Sequence, residues 1–290
     1  MLTDVIDCPI PKGAKHPENA KVIKGDIFQE IDNLVTKDLD AVYIFHGIMS
    51  SGSEANFDLG MKVNVDGTKL LLEKIRHTAP GIRVIYASSQ AVYGRPFPEK
   101  ITESTMPFPE GSYGAEKLMC EILINDYTRR GFIDGYSSRF PTISVRPGKP
   151  TQAASSFISG IIREPLAGKE CIVPVKDRSF PSWVCSPKTL IENLVHTLTL
   201  PSDAVPSHTR SVNMPGLLAT IQDMMDALAK VGGEDKLQYI KEEHDEDVAK
   251  ILYSWAASFD NTLALNLGYK PDTSFEQAVQ EYMDFMKEQE

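Results

Sequence analysis

An α/β fold, a doubly wound parallel sheet with helices on both faces, is what the first half of the chain predicts. Three observations carry it. Short runs rich in Val, Ile, Tyr and Phe alternate with helical stretches, the order that builds parallel strands joined by crossover helices. Those runs are nearly continuous in apolar residues rather than alternating, as in strands buried on both sides. The helix read over 113–130 is apolar around more than one stripe, so it is buried on two fronts.

In order, strands are expected at 2–6, 21–23, 41–45, 84–87 and 138–145, with helices near 28–34, 55–77 and 113–130. Arg129-Arg130-Gly131 stops the last of these, with cations at the negative end of the dipole and a residue tolerant of left-handed backbone. Residues 94–111 hold Pro96, Pro98, Pro107 and Pro109 and read as a long loop over a site. Past residue 150 the pattern loosens into a smaller mixed lobe. Helices are expected there at 155–163, 187–198, 220–231, 245–254 and 274–288, with a strand at 171–175. The expected division is 1–150 and 151–290.

The composition excludes several classes of function. A net charge of −10 and a pI near 5.2 argue against nucleic acid or an anionic membrane as partner. No apolar run approaches the ~20 residues of a membrane helix. The N-terminus shows no charged-then-apolar leader, so a cytoplasmic protein is expected. Cys8, Cys120, Cys171 and Cys185 lack paired spacing, and the six histidines lack ligand spacing. Neither a disulfide framework nor a metal site is expected.

The chemistry-bearing segment is Tyr113-Gly114-Ala115-Glu116-Lys117. A Tyr and a Lys four apart share one helix face, so the ammonium can sit beside the phenol. A free phenol has a pKa near ~10, too high for a base at neutral pH, and a neighbouring cation lowers it. Upstream, Arg83-Val84-Ile85-Tyr86-Ala87 leads into Ser88-Ser89, a hydroxyl at the end of a buried strand that can meet the pair. Together these form an acid–base constellation for alcohol and carbonyl chemistry. The plainer alternatives are a solvated Tyr/Lys pair and hydroxyls that only satisfy a strand end. Gln90, beside Ser89, is a candidate substrate contact. Arg178 could hold a substrate anion, since guanidinium suits carboxylate and phosphate, or could be a surface arginine.

Several motifs then converge. They are Ser88-Ser89-Gln90-Ala91-Val92-Tyr93-Gly94, the Tyr113–Lys117 pair and Arg139-Phe140-Pro141-Thr142. Ser50 to Gly60, Val63 to Thr68, and Asp260 followed by Leu267-Gly268-Tyr269-Lys270-Pro271 add to them. On these the chain resembles the extended short-chain dehydrogenase/reductase superfamily, NAD-dependent epimerase/dehydratase group. Within it, the resemblance is to the D-erythronate dehydrogenase-like or nucleoside-diphosphate-sugar-epimerase-like branch. It implies a Rossmann-like NAD-binding domain at 1–150, a substrate lobe at 151–290, and a homodimer through helices 55–77 and 113–130.

The resemblance also implies roles. Ser89, Tyr113 and Lys117 are catalytic, Ser88 is structural, and Lys117 also bonds the nicotinamide ribose. Asp4 meets the adenosine ribose, Asp26 and Ile27 the adenine, and Gly47 the pyrophosphate. Asn64 takes the family's helix-asparagine position, and Pro141 and Thr142 border the nicotinamide. Ser50, Ser89, Gln90, Tyr113 and Arg178 face the substrate. For Asp26 a plain helix cap is nearly as good a reading, and for Asn64 a bland polar residue. His46 stands where relatives carry a small residue.

The family's glycine fingerprint, on its first strand–helix turn, does not occur in this sequence. The chain is expected to begin at the family's second strand, either as a truncated sequence or as a natural protein with a weakened cofactor site. The expected activity is reversible NAD-linked oxidation of a secondary alcohol on a sugar acid or sugar nucleotide. NAD is favoured over NADP because an acid at the ribose repels a 2′-phosphate. The rival readings are an epimerase or dehydratase and a non-redox binding or regulatory protein.

Overall fold

The computed structural model describes residues 1–150 and 153–289. Its centre is a four-stranded parallel sheet in the order β3–β4–β5–β9. These strands are β3 (Ala41–Ile44), β4 (Arg83–Ser89), β5 (Asp134–Phe140) and β9 (Ser211–Asn213). β4 and β5 pair along their full length, from Arg83 opposite Asp134 to Ser89 opposite Phe140.

Side chains alternate across β4, and each face meets its own core. Val84 and Tyr86 pack with Leu72, Ile75, Cys120 and Ile124 of α4 (Gly67–Thr78) and α5 (Ser112–Arg129). Ile85 joins Tyr136, Leu190, Leu194 and Ala264 on the other face, from α7 (Pro187–Thr197) and α10 (Thr262–Asn266). The sheet is covered on both sides, as expected.

β1 (Leu2–Asp4) and β2 (Val22–Lys24) pair only with each other, Leu2 opposite Val22. The strands expected at 2–6 and 21–23 therefore form their own ribbon beside the main sheet. α1 (Ile27–Leu34) ties that ribbon to the core, with Ile27 and Ile31 packed against the cluster that holds Ile44 and Leu71.

Three expectations need correcting. The helix over 55–77 is broken into α3 (Phe57–Gly60), a π-helical turn (Met61–Asp66) and α4, following the short α2 (Ser50–Ala55). The widened turn draws Asn64 inward, where it is almost fully buried. The strand over 138–145 is two strands. β5 stops before Pro141, which has no N–H to donate, and β6 (Thr142–Ile143) joins a different sheet. Finally, residue 150 is no boundary of the main sheet, because β9 and α7 come from beyond it.

The rest forms a second core around Ile158, Ile161, Val173, Met224, Leu228 and Val279. It is built from α6 (Ser156–Leu166), β7 (Cys171–Val173), β8 (Pro181–Cys185), β10 (Leu217–Thr220), α8 (Ile221–Gly232), β11 (Ile240–Glu242), α9 (Glu246–Tyr253) and α11 (Phe275–Gln289). β10–β8–β6 make one small sheet and β11–β7 another. Among the described residues, no helix is long and apolar enough to cross a membrane, and no side-chain cluster could hold a metal ion. All four cysteines are free.

Candidate active site

β4 delivers two serines to the carboxyl edge of the sheet, and they part company there. Ser88 turns inward and donates to Glu121 Oε1 (2.5 Å). Glu121 also accepts from Arg139 Nε (2.9 Å) and Nη2 (2.6 Å) and from Ser211 (2.9 Å). This buried network, with Ser88 in it, bolts α5 to β5 and β9. Ser89 caps the next turn, its hydroxyl accepting from the Ala91 N–H (3.1 Å).

The first turn of α5 lies directly on that turn. A β-carbon at Gly114 would meet the Ala91 carbonyl oxygen and the Pro109 side chain. Only glycine permits the approach, which sets Tyr113 against Ser89. Burial pushes the Tyr113 phenol up to about 12, while the nearby Ser89 hydroxyl pulls it back. Glu116 adds to the rise and Arg146 opposes it.

Lys117 stands one helical turn on, on the same face of α5. Its Nζ donates to the Ala87 carbonyl (2.8 Å) and lies 4.8 Å from the Tyr86 ring centre and 5.5 Å from that of Tyr113. The ammonium is held over the two rings, close to the phenol it was expected to tune. Burial lowers Lys117 itself to about 8.

The loop after β3 reaches the same place. A β-carbon at Gly47 would lie 3.0 Å from Asn64 Oδ1 and 3.6 Å from Lys117 Nζ, so bare backbone faces the lysine. Asn64 grips Ile48 at both ends, accepting from its N–H (2.7 Å) and donating to its carbonyl (3.0 Å). It donates as well to Glu116 Oε2 (2.5 Å), which also accepts from Ser53 (2.9 Å). With its amide spent within the chain, Asn64 holds the Gly47–Ile48 loop in place. Ser50 is buried at the start of α2, just past the gripped residue. Burial and the Lys117 charge hold His46 at about 4, hence neutral.

Gln90 donates to Thr142 Oγ1 (3.2 Å), joining the turn to the residue after Pro141. Gln90 Oε1 and Trp183 Nε1 are buried without a partner among the described residues. Both side chains line a narrow cleft with Phe180 and Trp255. Asp4 and Asp26 share one end of the β1–β2 ribbon, where the Gly25 N–H donates to the Asp4 carbonyl (2.9 Å). Asp26 caps α1 through the Phe28 N–H (2.9 Å), and Ile27 is the first residue of that helix.

Arg178 already has a carboxylate: its guanidinium makes two bonds of 2.8 Å to Glu242 at a half-exposed surface, which weighs against the anion-holding role expected of it. Two groups in the site went unread in the sequence. Trp183 lies on β8, a strand without a clear apolar signature, and Arg146 follows β6 in a stretch read as strand only to 145.

The loop over 94–111 is closed at its neck by the Arg95–Glu110 pair. It is fastened at its tip by the bridge between Ile101 and Phe259.

The profile of the NAD dependent epimerase/dehydratase family matches residues 9–179. A D-erythronate dehydrogenase of Haemophilus influenzae is 43% identical over 256 residues, covering 88% of this chain and 80% of that protein. A D-erythronate dehydrogenase of Cupriavidus necator is 39% identical over 282 residues, covering 97% and 86%. Among solved structures, the nucleoside-diphosphate-sugar epimerase of Agrobacterium tumefaciens superposes with a TM-score of 0.85 at 34% identity, over 97% of this chain and 83% of that one.

Proposed function

This chain belongs to the NAD dependent epimerase/dehydratase family, and from that membership we propose that it oxidises a secondary alcohol of a small sugar acid, of the D-erythronate kind, with NAD as oxidant. The observation that supports the reading is the seating of the first turn of α5, which bears Tyr113, on the turn that follows Ser89, with Lys117 Nζ 5.5 Å from the Tyr113 ring centre.

The residues present fit the nicotinamide end of the cofactor. Gly47 offers backbone without a side chain beside Lys117, a cradle that a β-carbon would fill. Lys117, Tyr113, Pro141 and Thr142 would hold the nicotinamide and its ribose, Gly47 the pyrophosphate, and Asp4, Asp26 and Ile27 the adenosine. NAD, when bound, supplies the acceptor for the hydrogen and electron pair leaving the carbinol carbon.

The chain's own part is to hold one oxygen and move one proton. Ser89 bonds the substrate oxygen and orients it, and Tyr113 takes its proton in oxidation and returns it in reduction. Lys117 fixes the ring of Tyr113 and keeps a positive charge nearby. Gln90 Oε1 and Trp183 Nε1 offer an acceptor and a donor to further substrate hydroxyls, so part of the segment 151–290 closes over the substrate.

A cytoplasmic homodimer belongs to the same reading. Phe57 and Leu59 on α3 and Met119 and Ile122 on α5 expose apolar surface on the two helical segments expected to pair. The free cysteines suit a reducing compartment.

The test is incubation with NAD and D-erythronate, followed by NADH absorbance and analysis of the sugar acid. NADH formed in step with a keto acid is the expected result. Isomerisation of substrate without net NADH would instead mark an epimerase.

A further inference from the structure

Arg146 follows β6 with its backbone pinned to α6. Its N–H donates to Ser159 Oγ (3.1 Å), and its carbonyl accepts from Arg163 Nη1 (3.0 Å). Neither bond uses the Arg146 side chain. The guanidinium is the unsettled group: Nε is buried without a partner, and no carboxylate among the described residues forms an ion pair with it.

Its charged neighbour Arg163 has the same sign and is already paired with Glu164 (2.8 Å). A partly buried cation beside another, with no anion of its own, is costly to keep desolvated. A ligand carboxylate would remove that cost, because the planar fork of a guanidinium matches a carboxylate through two parallel bonds. Arg146 also lies close enough to Tyr113 for its charge to act on the phenol. It stands four residues past Thr142, which accepts from Gln90 in the turn after Ser89, so an anion bound there lies on the side of the site that β6 forms.

Building on the dehydrogenase reading above, we propose that Arg146 binds the carboxylate of the substrate and so seats the neighbouring carbinol between Ser89 and Tyr113. It makes the site selective for hydroxy acids over neutral polyols. The anchoring role expected of Arg178, whose guanidinium is paired with Glu242, falls to Arg146.

The experiment compares binding of D-erythronate and erythritol, a polyol of the same chain length without the carboxylate. Calorimetry in excess NADH allows binding and no oxidation. Arg146→Gln is expected to weaken D-erythronate about 100-fold, the loss of two charge-assisted bonds, and to leave erythritol within about twofold. Arg146→Lys, which keeps the charge and loses the fork, falls between. Both variants keep the main-chain bonds to α6, and a thermal melt close to wild type confirms their folding.

Arg146→Gln that binds D-erythronate as wild type does would overturn the assignment. So would a wild type that binds erythritol as tightly as D-erythronate, or that does not bind D-erythronate at all. NADH release with NAD is scored separately. Wild type that binds D-erythronate but yields no NADH sinks the dehydrogenase reading, while the Arg146 comparison still decides the anchor.

Discussion

A β-carbon at Gly114 would lie 2.0 Å from the carbonyl oxygen of Ala91. The two residues touch backbone to backbone, and that contact is what lets a helix-borne phenol reach a strand-borne hydroxyl. Gly114→Ala cannot be absorbed by a flexible side chain, since the obstacle is a carbonyl in the turn after Ser89. The expected result is a loss of about 1–3 kcal/mol in denaturant unfolding and a larger loss of activity, because α5 must back away from Ser89. Gly13→Ala, with open space around its site, is the control and is expected to be neutral.

How far the sequence carried depended on the range of the forces involved. The order of strands and helices in the main sheet was legible because burial on both faces writes continuous apolar runs. The placement of Ser89 at a strand end and of Tyr113 and Lys117 one turn apart on a helix was legible because both are local properties. The break at Met61–Asp66 was not, since Gly60 and Gly67 yield to partners far away in the chain, Glu116 and His46. β8, β9, β10 and β11 are three to five residues long and take their pairing from distant segments, which leaves little local pattern. Arg146 is recognisable only by the partner it lacks, and Arg178 only by the one it has.

The alkaline pH profile separates two sources of charge at the phenol. Tyr113, raised to about 12, is protonated across the neutral range, so the base needed for oxidation is scarce and kcat/KM should rise as pH rises. Reduction, which needs the protonated phenol, should show no such rise. Arg146→Gln removes a charge that favours the phenolate and should move the oxidative limb to higher pH. Lys117→Met removes a cation 5.5 Å from the ring centre and should move the limb the same way while lowering the rate. A limb that moves with neither variant would leave both cations out of the tuning of the base.

His46 gives stability a pH dependence of known sign. Burial and the Lys117 charge hold its folded value at about 4, below the ordinary 6.5. As pH falls below 6.5 the unfolded chain takes up a proton that the folded chain refuses until about 4, so stability drops across that window. Up to about 3 kcal/mol is lost by its lower edge. Urea unfolding of His46→Gln should show a flatter curve over the same range, and an unchanged slope would contradict the assignment.

Asn64→Ala would leave the Ile48 N–H without its partner and take one bond each from the Ile48 carbonyl and Glu116, which keep Ser53. One unpaired donor and two weakened acceptors cost about 1–3 kcal/mol, measurable by denaturant unfolding. Because Ile48 adjoins Gly47, the expected kinetic signature is a rise in KM for NAD that exceeds the fall in kcat. A fall in kcat alone would place Asn64 at the reacting atoms.

The most direct measurement is the rate of NADH formation from D-erythronate by wild type, Ser89→Ala and Tyr113→Phe, each shown by calorimetry to bind D-erythronate. The account predicts that both variants lose about 10²–10⁴-fold in kcat while still binding the acid. Tyr113→Phe turning over at a rate close to wild type would contradict it.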